Sequence, residues 1–143
     1  MAAAGLAFGA LQAARTPAQE PPVPPAAFDV REAMVPMRDG VRLHTAVYSP
    51  KDRQVGLPIL LVRTPYGIDG APQSLERRYK ELADDGYIFA FQDIRGRHAS
   101  EGAFVMMRPV RDRSVPGAID EGTDAYDTID WLVRNAAGNN GRV

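Results

Sequence analysis

The residues whose types could do chemistry fall in three short stretches of the chain. Tyr66 stands in Arg63-Thr64-Pro65-Tyr66-Gly67, directly after the unbroken apolar run Pro58-Ile59-Leu60-Leu61-Val62. Open α/β sheets place their sites just past the carboxyl ends of such strands, and a phenol there can donate a hydrogen bond without changing its charge. Taken from the residues alone, the plainer reading is a loop tyrosine packing on the sheet edge. Pro65 fixes its own φ and biases Thr64 toward extended geometry, which stiffens the turn that aims Tyr66.

The second stretch is Asp93-Ile94-Arg95-Gly96-Arg97-His98-Ala99-Ser100-Glu101. Two guanidiniums among glycines invite comparison with an anion-binding loop. An Asp and an Arg two apart at a strand end more readily form a charge-assisted clamp that orders the loop, with substrate contact as the alternative. His98, Ser100 and Glu101 are the residue types of a catalytic triad, but triad members normally come from separate elements, so His98 reads as structural or incidental. His44, on an alternating segment, reads the same way. The third stretch holds Asp120, Glu121, Asp124, Asp127 and Asp130. Clustered carboxylates can hold a hard cation, yet the Asp-x-Asp-x-Asp-Gly spacing of calcium loops is missing. Acids near a helix start complement its dipole, and Asp120 and Thr123 are good capping types, so a solvated helix face is expected in place of a metal site. Trp131, next to Asp130, is expected to pack against the sheet rather than to stack on a substrate.

Elements must hold these stretches in place. From Arg31 to Tyr48 the sequence reads as a β-hairpin, with Met34, Val35 and Met37 on one arm and Val41, Leu43, Thr45 and Val47 alternating on the other. Arg38-Asp39-Gly40 supplies the positive-φ turn between them. The run 58–62 reads as a strand buried on both faces of a largely parallel sheet, and Gln73 to Asp85 as a helix ended by Gly86. A second buried strand is expected at Tyr87-Ile88-Phe89-Ala90-Phe91. A long helix should then run from about Asp120 to Asn135, with Ala125, Ile129, Leu132 and Val133 at helical spacing. Asn139-Asn140-Gly141-Arg142-Val143 looks like a turn and the first step of another strand. Strand, helix, strand, loop, helix after a hairpin is an α/β pattern.

The 143 residues suit one domain. With 45% apolar residues, 24% charged and a net charge of −1, the composition is that of a globular protein without the excess basic charge that nucleic acid requires. No cysteine is present, which excludes disulfides, thiolate catalysis and sulfur-rich zinc sites from this stretch. The opening MAAAGLAFGALQAA is apolar but too short to span a bilayer, and the Pro-rich TPAQEPPVPP follows it. Residues 1–27 thus resemble a signal peptide and a disordered mature start, which points to a periplasmic or secreted protein. No Lys or Arg precedes the apolar run, so a disordered alanine-rich tail on a cytoplasmic protein is the alternative. The folded domain should occupy 28–143.

Four segments, in order, resemble one family: MVPMRDGVRLHTAVYSP at 34–50, ILLVRTPYG at 59–67, FQDIRGRHASEGAF at 91–104 and DEGTDAYDTIDWL at 120–132. The family is the CocE/NonD-type α/β-hydrolases, which includes cocaine esterase, α-amino acid ester hydrolases, glutaryl acylases and X-Pro dipeptidyl peptidases. The resemblance implies the amino-terminal part of an α/β-hydrolase fold, ending at Val143 before the G-x-S-x-G-like turn that carries the nucleophile. The serine, aspartate and histidine of the triad are then expected beyond Val143.

By the same resemblance Tyr66 matches the family's TPY tyrosine, whose hydroxyl helps form the oxyanion hole. The implied chemistry is transfer or hydrolysis of an acyl group through an acyl-serine, needing neither metal nor organic cofactor. The implied partner is a small-molecule ester, amide or short peptide, with no nucleic acid and no integral membrane span; self-association of the full-length protein stays open. Two rivals remain. A chain ending at Val143 would be an inactive fragment with an unpaired sheet edge. A nucleotide-binding doubly wound domain would share the alternation, but it requires a G-x-G-x-x-G turn after the first buried strand, where Arg63-Thr64-Pro65-Tyr66-Gly67 stands.

Overall fold

The computed structural model describes residues 26–53 and 56–143. The signal-like and Pro-rich stretch, apart from residues 26 and 27, lies outside the described residues. The hairpin forms as β1 (Phe28–Pro36) and β2 (Arg42–Pro50), antiparallel, with Met34 opposite His44 and Val35 opposite Leu43. Gly40 takes φ 85° at the tip, and its N–H donates to the Met37 carbonyl at 2.9 Å. That left-handed conformation suits glycine, which is why Asp39-Gly40 closes the hairpin here.

Two further strands, β3 (Ile59–Thr64) and β4 (Ile88–Asp93), complete a sheet of order β1-β2-β4-β3. β4 pairs antiparallel with β2 and parallel with β3, so the sheet is mixed, as the hairpin-plus-βα pattern implies. Every residue of β4 is buried, and its side chains alternate between two cores. Phe89 and Phe91 face Leu75, Ala71 and Tyr79 on one side. Ile88 and Ala90 face Leu132 and Ala136 of α3 (Glu121–Asn135) on the other.

Three expectations need correction. The run 58–62 does form a strand, but only Ile59 is buried and Leu60–Thr64 are half-buried. The sheet order puts β3 at the edge, so the central, doubly covered position belongs to β4. At its outer side Ile59 donates to the Arg142 carbonyl at 2.9 Å and the Asn140 N–H to the Leu57 carbonyl at 2.9 Å. Residues 139–142 thus begin to pair alongside β3, as their reading as a strand start implies.

The helix expected over Gln73–Asp85 is two short ones, α1 (Ala71–Glu76) and α2 (Lys80–Asp85). At the break the Tyr79 N–H reaches back to the Ser74 carbonyl at 2.9 Å, which lets the Tyr79 ring swing in against Phe89 and Phe91, centroids 5.9 and 6.1 Å away. The half-buried ring packs against the core cluster there. Gly86, at φ 90°, still ends the helix.

The third correction concerns the face that α3 buries. Its boundaries and cap are as expected: Asp120 accepts from the Thr123 N–H at 2.7 Å, and Thr123 Oγ1 accepts from the Asp120 N–H at 2.9 Å. Of the apolar positions, however, only Leu132 is fully buried; Ile129 and Val133 are 38% and 37% exposed. The inner stripe is Asp124, Thr128, Leu132 and Ala136, four residues apart, with polar groups drawn inward by partners on β4 and the loop after it. Leu132→Ala is therefore expected to cost about 2–5 kcal/mol of stability, and Val133→Ala well under half of that, in urea unfolding of the protein. Equal costs would contradict this placement of the helix.

Candidate active site

β3 and β4 run parallel, so their carboxyl ends deliver Thr64 and Asp93 to the same edge of the sheet, and the loops at 65–70 and 94–110 start side by side. The first loop is pinned by its backbone. The Tyr66 N–H donates to Thr64 Oγ1 at 3.1 Å. The Pro65 carbonyl accepts from Arg97 Nε at 3.0 Å and from His98 Nε2 at 3.1 Å. Gly67 takes φ 91°, a left-handed conformation that favours glycine, and a Cβ there would stand 3.1 Å from the His98 ring, so the turn passes close against the imidazole. With both flanks held, Tyr66 is left 86% exposed, its ring at the lip of a groove. The groove has a volume of about 510 Å³ and is bounded by Pro65, Ile94, Arg97 and the segment Phe104–Arg108.

Beneath these loops lies a buried polar network. Arg95, 4% exposed, pairs in two-pronged fashion with Asp124, Nε to Oδ2 at 2.9 Å and Nη2 to Oδ1 at 2.7 Å. It also reaches Asp39 in the hairpin turn, Nη1 to Oδ2 at 2.7 Å. Hydrogen bonding to Asp124, against the opposing effect of burial, holds the guanidinium firmly charged, and Arg95 in turn lowers the Asp39 carboxyl below its ordinary range. Arg63, at the end of β3, donates Nε to Gln92 Oε1 at 2.9 Å and Nη1 to the Glu121 carbonyl at 3.0 Å. Gln92 Nε2 then donates to Thr45 and Thr128 hydroxyls at 2.9 and 3.0 Å. The last turns of β3 and β4 and the first turn of α3 are thus tied together just below the groove.

The clamp expected within Asp93-Ile94-Arg95 is not internal. Arg95 turns to Asp39 and Asp124, while Asp93 Oδ2 lies 3.2 Å from His44 Nδ1, whose Nε2 lies 3.4 Å from Glu32. Arg95 lies two residues past the end of β4, where the strand's period-two geometry no longer keeps its side chain on the same face as that of Asp93. His98, Ser100 and Glu101 do not form a relay. Ser100 Oγ donates to the Asp93 carbonyl at 2.6 Å and accepts from the His44 N–H at 2.8 Å, and Glu101 pairs with Arg42, Nε to Oε1 at 3.0 Å.

The five acids of the third stretch are likewise dispersed. Asp120 caps α3, Glu121 and Asp124 meet Arg63 and Arg95, Asp127 binds Arg38 at 2.7 Å, and Asp130 pairs with Arg134. Among the described residues no group of three or more His, Asp or Glu side chains is placed to hold a metal ion. Trp131 packs between the cores on the α3 side of the sheet, with Arg31 5.9 Å above its ring. Sequence reasoning missed the groove wall at Phe104–Met107 and the role of Arg97 in holding the Tyr66 turn. The run Phe104-Val105-Met106-Met107 in a polar, Gly-rich loop was the available signal.

Two predictions follow from the network. Arg95→Met takes from the buried Asp124 its two-pronged partner and leaves it only Arg63 Nη2 at 3.9 Å, so about 3 kcal/mol of stability should be lost in chemical denaturation; a loss below 1 kcal/mol would contradict the network's importance. For Asp39 the folded pKa lies below the unfolded one, so its ionised form contributes stability above the unfolded value, and that contribution fades as pH falls through the folded value. Asp39→Asn should therefore narrow the drop in melting temperature between pH 6 and pH 3, and an unchanged drop would contradict the pairing.

The chain is similar to known proteins over most of its length. Residues 39–143 match the family model of X-Pro dipeptidyl-peptidase (S15 family). Over 105 residues the chain is 41% identical to cocaine esterase from Rhodococcus sp. (strain MB1 Bresler), a match covering 72% of this chain and 16% of that protein. Among solved structures, an α-amino acid ester hydrolase superposes with TM-score 0.71 at 43% identity, over 80% of this chain and 20% of the other. An aminopeptidase from a marine sediment archaeon, Thaumarchaeota archaeon, gives TM-score 0.73 at 35% identity, over 91% of this chain and 23% of the other. The chain therefore spans a fifth or so of the length of these relatives, and its mixed sheet matches part of their α/β-hydrolase fold. The chain belongs to the S15, CocE/NonD-type family of serine hydrolases.

Proposed function

We propose that this segment is the amino-terminal part of a serine acyl hydrolase and supplies one half of its oxyanion hole through the Tyr66 hydroxyl. Attack on an ester or amide carbonyl places negative charge on oxygen, and a fixed donor about 3 Å away stabilises that charge in the transition state. The observation that carries the reading is the Tyr66 turn. It lies at the carboxyl end of β3, its backbone is held from two sides, and its ring is left free over a groove.

The nucleophile has to come from outside these residues. Among the described residues no serine hydroxyl is hydrogen-bonded to a histidine ring; those of Ser74 and Ser100 donate to backbone carbonyls and that of Ser114 to Asp112. A serine beyond Val143, activated by a histidine, would attack the carbonyl, and its neighbouring backbone N–H would complete the oxyanion hole with Tyr66. The names of the relatives support an ester or amide of a small molecule as substrate.

In the full-length enzyme, Tyr66→Phe removes the donor and keeps the ring. It should lower kcat by about 10²-fold or more with little change in KM, since the bond forms only as charge develops. Steady-state hydrolysis of p-nitrophenyl acetate checks this. An unchanged kcat would return Tyr66 to a structural tyrosine.

A further inference from the structure

Opposite Tyr66 the groove presents an apolar wall that none of the core clusters absorbs. Phe104, Val105, Met106 and Met107 are 37%, 43%, 77% and 91% exposed. Consecutive apolar residues left open among the described residues call for a covering group, either a bound molecule or another part of the full-length protein. The wall is nevertheless held in place. Gly96, at φ 69°, passes so close that a Cβ there would stand 2.1 Å from the Phe104 nitrogen. Arg97 lies 5.0 Å over the Phe104 ring while its Nε holds the Pro65 carbonyl, so one side chain registers the wall against the Tyr66 turn. Arg108 Nη2 donates to the Ala103 carbonyl at 3.0 Å and closes the loop on itself.

We propose that Phe104–Met107 is the subsite for an uncharged apolar substituent next to the scissile carbonyl, with Met106 and Met107 as specificity-determining residues. This rests on the acyl-hydrolase reading of Tyr66. The groove, about 510 Å³, is within the size range of small-ligand pockets and has room for a medium alkyl chain or one aromatic ring. Thioether side chains are flexible and polarisable, so they pack against either shape. Arg97 is turned to Pro65 and Phe104, Glu121 to Arg63, and Arg108 Nη2 to the Ala103 carbonyl, so Phe104–Met107 form the apolar part of a groove whose rim carries these charges.

The test uses the full-length enzyme and a double variant, Met106→Ser with Met107→Ser. Both side chains are exposed among the described residues, and a thermal melt of the double variant beside the unmodified enzyme checks that the fold is kept. The ratio of kcat/KM for p-nitrophenyl hexanoate to that for p-nitrophenyl acetate is measured, together with the ratio for phenylethyl acetate to ethyl acetate, which probes the leaving-group side. At least one ratio should fall by about tenfold or more, the scale on which a few methylenes are discriminated. Val110→Ser, also exposed but outside the groove, should move neither. Both ratios unchanged in the double variant, with Tyr66→Phe still impaired, would overturn the subsite alone. No ester hydrolysis by the unmodified enzyme, with Tyr66→Phe silent, would overturn the acyl-hydrolase reading and the subsite with it.

Discussion

A guanidinium buried at the end of a central strand must find its counter-charges inside the protein, and for Arg95 they come from two directions. Asp124 rises from the first turns of α3 and Asp39 from the tip of the β1–β2 hairpin. One cation therefore joins the hairpin, the central strand and the covering helix at one end of the sheet. Removing any partner would leave a desolvated charge, so the elements are held together by the penalty for parting as much as by attraction. The inward turn of Asp124 and Thr128, and the outward turn of Ile129 and Val133, both follow from this pairing. The helix rotates to meet the charges and leaves part of its apolar face uncovered among the described residues.

The candidate site stands on that platform. Arg63, Gln92, Thr45 and Thr128 extend the polar layer across the sheet beneath the loops, so the strand ends that carry Tyr66 and Arg97 cannot shift independently. Above it, contacts to the Pro65 carbonyl and the glycine at 67 fix the turn, and the tyrosine ring is the part left free. The proposed oxyanion role asks for a tyrosine carried on such a fixed turn beside a groove, with its ring settling against the bound acyl group.

Much of this was legible in the residues. Alternation and Asp39-Gly40 located the hairpin, the two apolar runs located β3 and β4, and Asp120 with Thr123 located the start of α3. What was not legible depended on contacts distant in sequence. Apolar spacing in α3 pointed to Ile129 and Val133 because nothing local reveals that Asp124 meets Arg95. The unbroken apolar run of β3 suggested a central strand, but its place at the edge is set by pairing order. The break at Tyr79 answers to Phe89 and Phe91, ten and twelve positions on. At the site, Pro65-Tyr66 was visible by resemblance, whereas the wall at Phe104–Met107 became a candidate only when the two loops were seen side by side.

The most direct measurement is a crystal structure of the full-length enzyme with a phosphonate bound covalently to its nucleophile as a mimic of the tetrahedral intermediate. The geometry calls for the Tyr66 hydroxyl within about 3 Å of the phosphonyl oxygen, on the groove side of the turn. A phosphonyl oxygen held by other donors, with Tyr66 turned away, would contradict its place in the oxyanion hole.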